Sequence, residues 1–172
     1  ISQLRVTLDL EPQHMIASLI NARQLHLDIV DYPGEWLLDL GLMDLDYGAW
    51  SDQVLDRVMR PDHETIAAPF LAQLGALDPE AAFSDASAED LADAFRAYLI
   101  TAREQPPGLA TLGPGRFLMP GEFEGSPMLT FAPLPRDKRR DPDGATRPFA
   151  AELERRFEVY KAKIVRPFFR NH

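Results

Sequence analysis

The chain contains no cysteine. Disulfides, thiolate metal sites and cysteine nucleophiles are thereby excluded, which suits a reducing compartment. It also has no apolar run near the roughly 20 residues that cross a bilayer, and its first residues do not form a signal peptide. The expected location is the cytoplasm, with no transmembrane segment. Histidine is sparse, and His14, His26, His63 and His172 stand at no metal-ligand spacing. No Gly-x-Ser-x-Gly nucleophile elbow is present, which removes the most local signal for serine hydrolase chemistry. Lysine is scarcer still. Lys138, Lys161 and Lys163 are the only three, and none follows a glycine.

What is present is enough for a sizeable core: 172 residues with 45% hydrophobic content, which predicts one or at most two domains. The net charge of −9 is unevenly spread. Residues 1–135 carry 7 Lys and Arg against 21 Asp and Glu, whereas residues 136–172 carry 11 against 6. The acidic body argues against nucleic acid as a partner. The basic end, with Lys138-Arg139-Arg140, reads first as a solvated loop; it leaves open a contact with phosphates, an acidic protein or a peripheral membrane surface.

Leu4, Val6, Leu8 and Leu10 alternate with Arg5, Thr7 and Asp9, the period of a half-buried strand. Residues 14–22 suit a short helix or long turn. A second, mostly apolar strand over 25–31 pairs antiparallel with the first and ends in Asp31, followed by Pro33-Gly34. A strand ending this way delivers a carboxylate to the sheet edge where open α/β sheets bind ligands. Asp31 can hold Mg²⁺ through water, and a glycine three residues on lets a backbone N–H approach a γ-phosphate. Glu35 stands where a residue that orients an attacking water would stand. Asp28 lies on the opposite strand face from Asp31, so it reads as structural, and a two-carboxylate nuclease site is disfavoured.

Beyond the turn, residues 36–45 predict a mobile, switch-like segment. A helix follows over 47–59, closed by Pro61, then another over 63–74 that Pro69 kinks or divides. The best-signalled helix covers 87–104, with Ser87 as its cap and Leu91, Phe95, Tyr98 and Leu99 on its apolar stripe. Short runs at 116–119 and 128–134 predict two strands of a small β hairpin, with Arg116 as a salt-bridged strand residue or, as a minority reading, an internal arginine finger. A polar loop over 136–147 precedes a long helix over about 149–165, limited by Pro167 and returning the chain to the sheet.

The string Leu27-Asp28-Ile29-Val30-Asp31-Tyr32-Pro33-Gly34-Glu35-Trp36-Leu37-Leu38-Asp39-Leu40 resembles the Walker B and switch II region of the YcjX-like family, bacterial P-loop proteins predicted to bind GTP. Trp50-Ser51, Pro114-Gly115-Arg116-Phe117-Leu118-Met119-Pro120-Gly121 and Val165-Arg166-Pro167-Phe168-Phe169-Arg170-Asn171-His172 agree in order. The resemblance implies an α/β fold: a partial P-loop NTPase (Ras-like) domain with a helical insertion after switch II and a small β hairpin. Its pieces would be 1–35 (strand pair and turn), 36–108 (switch-like segment and insertion) and 109–172 (hairpin, charged loop and returning helix), all within one larger nucleotide-binding domain.

For the intact protein the resemblance implies GTP and GDP as ligands, Mg²⁺ with GTP as cofactor, and hydrolysis to GDP as a conformational switch, with a link to bacterial stress response. Asp31 and Gly34 would bind nucleotide, Asp31 would hold Mg²⁺ through water, and Glu35 would position water. The Gly-x-x-x-x-Gly-Lys-Ser/Thr phosphate cradle and the Asn/Thr-Lys-x-Asp guanine reader are absent from these residues. They are expected before Ile1 and after His172 in a longer protein. These 172 residues alone are therefore expected to carry no intrinsic cofactor, to bind GTP weakly and not to hydrolyse it. The rival reading is a non-enzymatic α/β adaptor that binds a protein partner through its helical insertion and basic C-terminal loop.

Overall fold

A computed structural model describes residues 2–9, 24–31, 34–105 and 113–170. They fall into two units, one within Ile1–Pro33 and one within Gly34–Asn171. The first is the expected antiparallel pair, β1 (Ser2–Asp9) and β2 (Gln24–Asp31). Its register places Leu4 opposite Ile29, Val6 opposite Leu27 and Leu8 opposite Leu25, so one face carries apolar cross-strand pairs. The other carries Arg5 opposite Asp28 and Thr7 opposite His26.

Arg5 grips Asp28 with Nε and Nη2 at 2.5 and 2.8 Å, and this hydrogen bonding holds the Asp28 carboxyl below its ordinary range. Asp28 is structural, as expected. The apolar face is not half-buried as its alternation predicts: Leu4 is 58% and Leu25 51% exposed. Alternation reports only that a face is apolar, whereas burial requires something packed against it. The predicted element over 14–22, and Leu10, lie outside the described residues.

The second unit is helical, and no strand occurs among its described residues. It opens with α1 (Gly34–Leu37), which tightens into a 3₁₀ turn, Leu38–Leu42. The expected switch-like segment is therefore helical in this structure. Helix α2 (Tyr47–Val58) starts where the Asp46 carboxylate accepts the Ala49 N–H at 2.7 Å, and Pro61 follows its end as predicted.

Helix α3 (Glu64–Ala76) runs through Pro69 undivided. The proline removes one backbone bond, and burial of Ala67, Phe70 and Leu74 around it holds the helix together. Helix α4 (Asp85–Arg103) carries the predicted stripe, but its cap is Ser84, not Ser87; the Ser84 hydroxyl accepts from the Ser87 N–H. Helices α3 and α4 meet through Phe70 and Phe95, 5.2 Å apart, and a 2.6 Å hydrogen bond joins buried His63 Nδ1 to Tyr98 Oη.

The predicted β hairpin of 116–119 and 128–134 is corrected. The first run is helix α5 (Gly115–Leu118), and the second begins in a 3₁₀ turn, Pro127–Leu129. Pro114, Pro120, Pro127, Pro133 and Pro135 have no N–H to give a ladder, and Phe117, Leu129, Phe131 and Leu134 point into the helical core instead.

The polar loop holds helix α6 (Arg136–Arg139) and a bridge between Arg140 and Thr146, and within it Arg139 is buried against Asp52. Helix α7 (Pro148–Tyr160) passes through a π-helical turn, Lys161–Val165, into α8 (Arg166–Arg170). Pro167 therefore does not end the helix. It lies just after the π turn, where the regular ladder is already interrupted.

The buried face of α7 is filled by the unit's own aromatics rather than by a sheet. Trp50 lies at the centre, with ring centroids of Phe157, Phe131, Tyr47 and Phe95 at 5.0, 5.5, 5.8 and 6.1 Å. Each such side chain contributes roughly 1.5–3 kcal/mol by burial. The segments 36–108 and 109–172 thus share one core.

Candidate functional site

Asp31 is the last residue of β2 and is exposed. Gly34, three residues on, opens α1 in the helical unit, and Glu35 follows within the same short helix. Asp31 therefore belongs to one unit, and Gly34 and Glu35 to the other. The Glu35 side chain lies outside the described atoms.

Among the described residues nothing demands a glycine at position 34. Its φ is not positive, and a Cβ built there meets no atom within 4 Å. The space beside it is open. The Asp31 carboxylate is the hard, exposed oxygen donor that a water-mediated Mg²⁺ contact requires, and that fit covers one contact only. No group of three His, Cys, Asp or Glu among the described residues is arranged to hold a metal.

Soon after Gly34 the chain makes a set of buried polar contacts that sequence reasoning missed. Asp39, in the 3₁₀ turn, is 2% exposed. One of its oxygens accepts the Gly115 backbone N–H at 2.8 Å and the other accepts the Tyr160 hydroxyl at 2.7 Å. Burial pushes its carboxyl up to about 6, against the opposing influence of those hydrogen bonds and of the Arg116 charge. Burial also drives the Tyr160 hydroxyl well above its ordinary value, with the neighbouring Asp39 acting in the same direction, so the phenol stays a donor. The one available signal was a lone acid inside the run Leu37-Leu38-Asp39-Leu40, which no single helical face explains.

Beside it, Arg116 is 6% exposed and lies in helix α5 rather than in a strand. Its guanidinium carbon sits 3.5 Å from the Trp36 ring centroid, 5.2 Å from that of Phe168 and 5.5 Å from that of Phe123. Trp36 and Phe168 meet edge to face at 4.8 Å. This is an aromatic box around a cation. The Lys161 ammonium donates to the Leu45 carbonyl at 2.6 Å, a third tie between the segment after the turn and the C-terminal helix.

A cleft of about 870 Å³ lies along the connector, where Arg136, Arg139, Arg140 and Arg147 face Asp52, Asp137 and Asp141. Opposite charges nearly balance there. Arg139 is paired with Asp52 and Arg147 with Glu80, while Lys138 donates to the Leu77 carbonyl and Arg140 to the Thr146 hydroxyl, so much of the expected basic loop is engaged within the unit. No helix among the described residues is long and apolar enough to cross a membrane.

The class is given by similarity of sequence: this chain is similar to proteins described as Ras-like GTPases. The YcjX-like family, DUF463, matches residues 1–172, and the chain belongs to it. Two curated relatives carry the description Ras-like GTPase YcjX. That of Shewanella oneidensis is 34% identical over 181 aligned positions, and that of Escherichia coli K12 is 34% identical over 179. Each alignment takes in the whole of this chain but only 36% and 37% of the respective relative. The chain thus spans just over a third of their length.

Proposed function

We propose that this chain is the central part of a Ras-like GTPase, in which the turn from Asp31 to Gly34 senses the γ-phosphate end of Mg-GTP. The observation that carries the reading is the likeness of the entire chain to proteins described as Ras-like GTPases, with Asp31 closing β2 and Gly34 opening α1. In this reading the Asp31 carboxylate orients a water bound to Mg²⁺, which when present neutralises phosphate charge. The Gly34 N–H, beside open space, donates to a γ-phosphate oxygen, and Glu35 orients the water that attacks it. Loss of the γ-phosphate removes the Gly34 contact and frees the segment that follows.

The phosphate cradle and guanine reader come from the remainder of the longer polypeptide, and so does the cover for the apolar face of β1 and β2. That exposed face supports the reading, because a two-stranded ribbon is only marginally stable in water without packing.

The test is equilibrium binding of a fluorescent GTP analogue to the full-length protein. Mg²⁺-dependent binding should weaken by about tenfold or more in Asp31→Asn, with an unchanged melting temperature because Asp31 is exposed. The 172 residues alone should show no tight binding. Unchanged nucleotide affinity in Asp31→Asn, together with altered capture of a protein partner, would instead favour the adaptor reading.

A further inference from the structure

We propose that the segment after Gly34 is a latch on the C-terminal helix, gripping it on both sides of the π-helical turn, so that release of the Asp31-to-Gly34 turn is passed to α8. The proposal rests on the reading that this turn senses nucleotide.

The three ties are placed to do this. Asp39 holds Tyr160, the last residue before the π turn. The Leu45 carbonyl holds Lys161, the first residue within it. Trp36, two positions beyond Gly34, holds Phe168 beyond its far end, with Arg116 packed on both rings. A π turn is a local irregularity of the backbone ladder, and a helix that changes register does so most readily where the regular ladder is already interrupted. Anchors on either side of it can set which register the helix takes.

The gripping segment has little helical stability of its own. Helix α1 has 4 residues and the 3₁₀ turn 5, well under the length at which isolated helices hold in water. Its shape therefore depends on these ties. The closed latch also carries costly buried polarity: the Trp36 indole Nε1 is buried with no acceptor among the described residues, and the Asp39 carboxylate, though hydrogen-bonded at both oxygens, is desolvated. Buried polar groups of this kind narrow the energy gap between held and released states. Trp36 and Asp39 are positioning residues; they act on the helix and not on nucleotide.

Hydrogen exchange on the full-length protein tests the proposal, comparing GDP with a non-hydrolysable GTP analogue. In the wild type, exchange across 161–170 should differ by about threefold or more between the two nucleotides. The difference should vanish in Trp36→Leu and in Tyr160→Phe, with nucleotide affinity within about threefold of wild type. Asp39→Asn leaves a single acceptor oxygen for the Gly115 N–H and the Tyr160 hydroxyl together and should reduce the difference, and Trp36→Leu keeps the test decisive if Tyr160→Phe fails to fold.

Nucleotide binding with no change across 161–170, or a change that survives in Trp36→Leu, overturns the latch and leaves the GTPase reading standing. Absence of any nucleotide binding overturns both.

Discussion

The Tyr160 hydroxyl donates a 2.7 Å hydrogen bond to the Asp39 carboxylate across 121 positions of sequence, joining the first turn of the helical unit to the end of its last long helix. Both groups are buried, and no solvent competes for the bond. A pH dependence follows from that burial. The Asp39 carboxyl is raised from 3.8 to about 6, so the folded protein holds this proton more tightly than the unfolded chain does. Its contribution is complete below about pH 4 and is lost as pH rises through about 6, amounting to about 3 kcal/mol. Urea midpoints should therefore fall between pH 4.5 and 7, and Asp39→Asn should flatten that slope. An unchanged slope in the variant would place the dependence elsewhere.

Arg116 lies flat against Trp36 in an aromatic box, whereas Arg96 is 5.5 Å from the Phe117 ring and also pairs with Asp93 at the surface. Desolvated cation–π contacts are worth about 2 kcal/mol and exposed ones about half that or less. Arg116→Ala should destabilise the chain by about 2 kcal/mol or more and Arg96→Ala by less than about 1, read from denaturant unfolding. Arg116→Lys should recover only part of the loss, because an ammonium lacks the planar face that stacks on indole.

Phe131 packs against Trp50, Phe117, Phe157 and Tyr160 with no exposure. Phe131→Ala should cost about 3–5 kcal/mol through lost burial and the cavity left behind. Tyr47→Phe removes only the hydroxyl that donates to the Ala132 carbonyl at 2.7 Å, and should cost about 1 kcal/mol.

Asp46 caps α2 through a 2.7 Å bond to the Ala49 N–H. Asp46→Ala should cost about 1 kcal/mol, and Ser87→Ala should lie within about 0.5 kcal/mol of wild type because Ser84 supplies the cap of α4. Equal losses would restore Ser87 as the cap.

In these 172 residues on their own, Leu4, Leu25, Leu27 and Ile29 are exposed. Replacing Leu4 and Leu27 together by threonine should lower binding of a hydrophobic dye while shifting the unfolding midpoint of the helical unit by no more than about 0.5 kcal/mol. In the full-length protein the same pair should be clearly destabilising, by about 2 kcal/mol or more, if other parts of the chain cover this face.

Much of the secondary structure was legible because its causes are local. Alternation in Leu4, Val6 and Leu8 and the Arg5–Asp28 pairing belong to a single ribbon. The stripe of Leu91, Phe95, Tyr98 and Leu99 repeats within one helix, and Asp31 with Gly34 stands out only within the longer string from Leu27 to Leu40. The capping error was an ambiguity between two serines three residues apart. The strands predicted at 116–119 and 128–134 do not form, because five prolines in and around these runs remove ladder donors and the apolar side chains turn into the helical core instead.

By itself the sequence determined the strand pair, the main helices, the lack of a phosphate cradle within these residues and the likeness to one family, since each depends on neighbours in the chain or on the order of residue types. Only the tertiary structure decided that Asp39 is buried, that Arg116 lies in an aromatic box and that the helix continues past Pro167. Burial and desolvation come from groups brought together across many positions, as Gly115 and Tyr160 are around Asp39, and no local pattern encodes that distance.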